Sequence, residues 1–212
     1  MTTAVNTQVP QAPVSRRVKP PAQARSHRSL DRMLKAGATL IAKHGVDGLT
    51  IADVVRLAKS STGAFYARFA DKDALVREIQ HRFVSQVETR VVSALALDTA
   101  TLDTEAAAKR ATQILAGVFR ENPSLIAGFI RGAGRDEVLR QRADVTFRRL
   151  DRGVSEFLGH HLNTPPNAAA TLCRIIIATL EHYVGLAETA RWTDWKSLTK
   201  ELEYVAYRYL AR

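Results

Sequence analysis

TIADVVRLAKSSTGAFYARFADKDAL, residues 50–75, reads as two short helices joined by a tight turn and followed by the start of a third. Thr50 stands in the N-cap position of the first helix, and Asp53 follows at the three-residue spacing of a capping box. Ile51, Val54, Val55 and Ala58 then fall at helical spacing and give that helix one apolar face. Ser60 and Ser61 interrupt the pattern and supply side-chain oxygens for a second N-cap. The spacing predicts a second helix over roughly residues 62–69. Its inward face is Phe65 and Phe69, and its other face carries Thr62, Gly63, Ala64, Ala67 and Arg68.

That asymmetry suits a helix-turn-helix, whose second helix lies in a DNA major groove. Such a helix needs small residues near its N-terminus so that the backbone approaches the bases, with hydroxyls and cations for phosphate. Ser61, Thr62, Gly63 and Ala64 meet the first need; Arg68, Lys72 and the Tyr66 hydroxyl meet the second. The plainer alternative takes Phe65 and Tyr66 as ordinary core aromatics and Gly63 as a loop glycine.

Residues 33–75 resemble the N-terminal domain of the TetR-like (tetracycline-repressor-like) transcriptional regulators. The family pattern, ILxAAxxLFxxxGxxxxTxxxIAxxAGVSxGxLYxxFxxKxxL, aligns without a gap. Met33 and Leu34 take its opening pair, and Gly45 takes the glycine that ends helix 1. Thr50, Val54, Val55 and Ala58 fill helix 2, and Ser61, Gly63, Phe65, Tyr66 and Phe69 fill the recognition segment. Lys72 and Leu75 open helix 4. So many matches at fixed spacing are far more specific than one short motif. There are departures: Lys59 replaces the turn glycine, Ser60 the valine and Ile41 the phenylalanine. Lys59 must then adopt a turn conformation that glycine adopts more easily.

The chain has 212 residues and a formal net charge of +10. Residues 1–75 hold 12 Lys/Arg against 5 Asp/Glu, a surplus of 7, while the remaining 137 residues add only 3. Positive charge gathered at the helix-turn-helix end is the footprint of a polyanion-binding protein. The single cysteine, Cys173, excludes an intramolecular disulfide and fits a reducing cytoplasm. The N-terminus shows no apolar signal segment. The stretch 168–187 contains Arg174, Glu181 and His182, too costly for a bilayer, so no membrane span is expected.

Residues 1–25 hold prolines at 10, 13, 20 and 21 and four basic residues without an acid, and are expected to be a disordered basic arm. Either they add phosphate or minor-groove contacts or they are inert. Helix 1 is expected over 29–44 with Gly45 as its C-cap. Helix 4 is capped by Asp71 and repeats Leu75, Ile79, Phe83, Val87, Val91 and Leu95 every four residues. It would be roughly 37 Å long. Further helices are expected over 104–120, 123–131, 136–161, 167–189 and 197–212. Asn122 caps the second of these with Pro123 at its first position, and Gly132 and Gly134 break it. The arginines on the outer face of the third read as a solvated face interleaved with Asp144 and Asp151. The last two helices carry more apolar surface than one core needs, which points to a subunit interface.

No catalytic or metal-binding pattern is present: no HExxH, no cysteine pair, no GxSxG, no phosphate-binding loop. The chain is expected to be all-α, with about nine helices and no cofactor. It divides into a basic arm (1–25), a helix-turn-helix DNA-binding domain (26–72) and a helical effector-binding and dimerisation domain (73–212). The resemblance implies a cytoplasmic, sequence-specific repressor that dimerises through its last two helices on a palindromic double-stranded operator. It also implies a small-molecule effector held among helices 5 to 8 that releases the DNA. Thr50, Ser61, Thr62, Gly63, Ala64, Tyr66, Arg68 and Lys72 are the expected DNA contacts. Phe119, Phe129, Phe147, Phe157, Ile177 and Tyr183 are candidate effector contacts, with Trp192 and Trp195 near the rim. Such an inventory favours an apolar or aromatic effector. Two other readings stay open: sequence-independent nucleic-acid binding through the basic tail, and a ligand-binding adaptor that has lost operator recognition.

Overall fold

The computed structural model describes residues 22–96, 101–134, 136–162, 165–186 and 193–211. Among these the chain is helical throughout, with no strand. Helices run in the order α1 (Ala22–His44), α2 (Ile51–Leu57), α3 (Thr62–Tyr66), α4 (Lys72–Ala96), α5 (Thr104–Glu121), α6 (Pro123–Ala133), α7 (Glu137–Leu162), α8 (Pro166–Gly185) and α9 (Trp195–Leu210). None of the described helices is long and apolar enough to cross a membrane.

Local capping chemistry sets the early boundaries. The Thr50 hydroxyl accepts from the Asp53 backbone N–H at 3.1 Å and donates to the Asp53 carboxylate at 2.8 Å. Ser61 Oγ accepts from Ala64 N at 3.1 Å, and Asp71 Oδ1 accepts from Ala74 N at 2.7 Å. Each bond from a backbone N–H satisfies one of the orphan donors at a helix start. Gly45 closes α1 with φ of 72°, the left-handed conformation of a C-terminal glycine.

Lys59 adopts φ of 49°, as the family's glycine position requires, and is the one described non-glycine residue with positive φ. The turn still closes: Lys59 N donates to Arg56 O at 3.2 Å and Ser60 N to Val55 O at 2.9 Å. The departure from glycine therefore strains one residue without opening the α2–α3 turn. Lys59→Gly is expected to stabilise the fold by about 0.5–1 kcal/mol, because relief of the left-handed strain exceeds the glycine's added chain entropy. A thermal melt checks it; a lower Tm than the parent's would contradict it.

Two apolar clusters form the interior. The first joins Met33, Leu34, Ile41, Leu49, Val54, Phe65 and Phe69 to Leu75, Val76 and Ile79 of α4, and reaches Phe129 of α6 and Leu139 of α7. Three short helices bury too little surface alone, so this core borrows from elements well beyond residue 72. The second fills the space among α4, α5, α7, α8 and α9, with Leu115, Leu158, Leu172, Leu180 and Tyr183 almost fully buried. Phe83 of α4 packs against both.

Several sequence expectations are corrected. Helix α1 begins at Ala22, so residues 22–25 are helical and not part of a disordered arm. Prolines break what precedes a helix and are tolerated at its start. Residues 1–21 lie outside the described residues. Helix α3 stops at Tyr66, three residues early, with Ala67 as its C-cap. The Asn122 side chain makes no capping bond but donates to Val118 O at 3.4 Å. Gly132 lies inside α6, not after it; a Cβ there would sit 2.7 Å from Val46 Cγ2. It is a packing glycine, placed where α6 comes close to the loop after α1. Asp151 is buried and paired with Arg174 of α8, so it does not interleave the surface arginines. Helix α8 ends at Gly185, and Trp192 and Arg212 lie outside the described residues.

Candidate nucleic-acid interface and interior cavity

Helix α3 hangs from the core by two rings. Phe65 is fully buried and stacks on Phe69 with ring centroids 5.4 Å apart. Position 65 inward puts Tyr66 outward: it is 56% exposed and meets Phe65 edge-on. Ser61, Thr62 and Gly63 are exposed beside it. A Cβ built on Gly63 has nothing within 4 Å, so the fold places no demand for glycine there. The reading of Tyr66 as a core aromatic therefore fails, and Gly63 sits on a helix, not in a loop.

The eight residues expected at DNA differ in how free they are. Ser61, Thr62, Gly63 and Tyr66 present themselves outward, and Ala64 is half-buried. Thr50 is exposed, but its hydroxyl is committed to Asp53. Arg68 does not project freely: it donates to Ala64 O at 2.7 Å and to Ser26 Oγ at 3.0 Å, tying α1 to the end of α3. Lys72 donates to Val46 O at 3.4 Å in the α1–α2 loop. The charges read from sequence as phosphate contacts thus also hold the DNA-binding unit together. Lys59, exposed in the turn just before α3, was not among the expected contacts.

The second feature is a cavity of about 240 Å³ among α4, α5, α6, α7 and α8. Phe119, Phe129 and Phe147 line it, as expected, together with Phe83, Leu115 and Ile126. The half-burial of Ala143 and Phe147 follows from facing this space. Phe157, Ile177 and Tyr183 do not line it and are corrected to core. Phe157 and Ile177 are buried in the second cluster, and the Tyr183 hydroxyl donates to Thr193 O at 2.8 Å while its ring packs on Trp195. Trp195 lies instead on a separate polar groove between α5 and α9.

The sequence reading also missed the cavity's polar groups. Gln80 is 2% exposed; its Nε2 donates to Leu139 O at 2.8 Å. Glu181 of α8 faces the cavity, and burial pushes its carboxyl above the usual range. The signal was present in α4: Gln80 is a polar residue in the row Val76, Gln80, Val84, which is otherwise apolar. No group of three or more metal-ligating side chains occurs among the described residues. Helix α6 connects the two features, because Ile126, Phe129, Ile130 and Ala133 line the cavity while Gly128 and Gly132 meet α1 and the loop after it.

Comparison with known proteins agrees with this geometry. Residues 33–79 match the family profile of bacterial regulatory proteins, tetR family. A search of curated proteins gave no match. Among solved structures, a candidate TetR-family transcriptional regulator from Mesorhizobium loti superposes with a TM-score of 0.75 at 20% identity, over 88% of this chain and 97% of that one. A transcriptional regulator of the TerR/AcrR family from Aquifex aeolicus gives 0.64 at 20% identity, over 84% and 96%. Salmonella enterica GusR gives 0.66 at 15% identity, over 93% and 100%. At these identities the structural likeness is one of fold. Residues 33–79 thus match the model of the tetR family of bacterial regulatory proteins, and the described chain shares the fold of solved TetR-family structures.

Proposed function

We propose that the protein is a sequence-specific, dimeric transcriptional repressor released from its operator by a small, largely apolar effector. Residues 26–72 act as the DNA-reading unit and residues 73–212 as the effector and dimerisation body. The observation that carries the reading is the outer face of α3. It is free of packing duties, small at its N-terminal end, and flanked by the exposed Tyr66 hydroxyl. Thr62, Gly63 and Ala64 lie nearest the base edges in this reading, with Thr50, Ser61 and Tyr66 on the backbone and Arg68 and Lys72 adding charge.

Dimerisation is supported by apolar side chains on the outer faces of the last two helices: Ile175 on α8, and Tyr204 and Val205 on α9, all more than 40% exposed. A two-fold axis there sets a pair of recognition helices on a palindrome. Release is supported by α6. An occupant that shifts α6 displaces α1 directly, since Gly128 and Gly132 leave no slack between them.

Selection from a pool of random duplexes tests the proposal. It is expected to enrich one palindromic sequence; a pool that stays random would contradict it. On that site, Tyr66→Ala is expected to weaken binding to all duplexes alike, roughly tenfold, whereas Thr62→Ala changes the ranking among single-base variants. If both substitutions left the same ranking, α3 would not be the reading element.

A further inference from the structure

The groove between α5 and α9 gathers positive charge that the fold does not use. Lys109 and Arg120 of α5 and Lys196 and Lys200 of α9 line it, and all of them are exposed. None is paired with a carboxylate among the described residues. The one acid among the described residues lining the groove, Glu203, accepts from Gln113 Nε2 at 2.9 Å across the two helices. Two of the cations stand against local preference. Lys196 lies in the first turn of α9, where the helix dipole disfavours a cation, and Lys200 follows it at the i,i+4 spacing at which like charges repel. Asp194 beside them is spent on the backbone N–H groups of Lys196 and Ser197. A pattern that breaks local preference without a gain in the fold points to a functional surface.

Trp195 supplies a ring on the same wall. It is half-buried, meets Tyr183 edge-on with centroids 4.7 Å apart, and packs against the second apolar cluster. A ring fixed in this way is a preformed platform on which a flat heterocycle stacks. The groove's volume of about 560 Å³ falls within the roughly 300–1,000 Å³ of small-molecule sites. A singly charged ligand would leave most of the cations unneutralised, and an anion without a ring would make no use of Trp195. The groove shares no lining residue with the cavity, and Tyr204 and Val205, the α9 side chains offered for dimerisation, do not line it.

We propose that this groove binds a nucleoside di- or triphosphate, its base against Trp195 and its phosphates on Lys196, Lys200, Lys109 and Arg120. Such a ligand joins the two things the groove offers, a stacking surface and several cations, in one molecule. The proposal needs neither the effector reading of the cavity nor DNA recognition by α3, and it stands if either fails.

Isothermal titration of the full-length protein with ATP, adenosine and tripolyphosphate tests this, at near-physiological salt to screen the diffuse attraction of a basic chain for any polyanion. ATP is expected to bind at least fivefold more tightly than tripolyphosphate, the gain from stacking, and at least tenfold more tightly than adenosine, the gain from charge. Lys196→Gln/Lys200→Gln is expected to weaken ATP at least tenfold. Lys35→Gln/Lys43→Gln removes equal charge from exposed positions on α1 and is expected to leave ATP binding within about twofold. Thermal melts of both double variants are expected to match the parent's, which shows that they are folded. Tripolyphosphate binding as tightly as ATP would overturn the proposal and leave a site for inorganic anions. Equal losses in the two double variants would overturn it in favour of diffuse attraction, and so would the absence of ATP binding at millimolar concentration. An oligothymidylate strand that binds more tightly than ATP, with the same dependence on Lys196 and Lys200, would overturn it in favour of single-stranded nucleic acid.

Discussion

Gly63→Ala melts no lower than the parent protein and binds the operator at least tenfold more weakly. The two halves of this expectation come from different physics. Inside the protein, the added methyl meets nothing within 4 Å, and the backbone at Gly63 is not in the left-handed region. Alanine is the better helix former by up to about 1 kcal/mol, so stability holds or rises slightly. At the DNA, the methyl stands on the exposed side of α3 between Thr62 and the half-buried Ala64. Close approach of the backbone to base edges is lost there, and a recognition helix lifted off the groove forfeits several contacts together. Paired thermal melts and operator titrations check it. A variant that binds as the parent does would remove Gly63 from the interface; one that melts well below the parent would mean that the glycine is structural.

The second large effect is of the opposite kind. Gly128→Val is expected to destabilise the protein by about 3 kcal/mol, a case of overpacking. A Cβ at position 128 would sit 2.7 Å from Ile41 Cγ2 and 2.9 Å from Ile41 O. The methyl can turn away, but the carbonyl belongs to the α1 backbone and bonds to Gly45 N at 2.8 Å, so it cannot move without unravelling the helix end. The expected fall in Tm is roughly 6–12 °C, at about 2–4 °C per kcal/mol for a chain of this size. An unchanged Tm would show that α1 and α6 are not in close contact, and the route proposed from cavity to DNA-binding unit would fall with it.

What the sequence made legible, and what it did not, follows the range of the interactions involved. Thr50, Ser61, Asp71 and Gly45 were readable as helix ends because a cap is decided by residues three or four apart. The strain at Lys59 was readable for the same reason. Gly132 was misread as a helix breaker, since what leaves no room for a side chain there is Val46, 86 residues earlier in the sequence. Arg68 and Lys72 were readable as positive charge near the recognition helix. Their partners, Ser26 and the Val46 carbonyl, lie 42 and 26 residues away and were not. The cavity shows the same limit. Helical spacing gave the aromatic inventory but could not say which faces meet, so Phe119, Phe129 and Phe147 were placed on the wall and Phe157, Ile177 and Tyr183 wrongly joined them. Gln80 and Glu181 break apolar rows, an irregularity that marks the polar part of the lining.

In the proposed function α3 reads sequence and does not merely meet phosphate. Fluorescence anisotropy of the full-length protein on the selected operator and on a scrambled duplex of equal length, each at low and at near-physiological salt, tests it most directly. Phosphate contacts weaken steeply with salt on both duplexes, while base contacts separate the two. The affinity for the operator is expected to be at least a hundredfold above that for the scrambled duplex, with the gap preserved at the higher salt. Equal affinities that fall together as salt rises would contradict it and favour sequence-independent binding through the basic end of the chain.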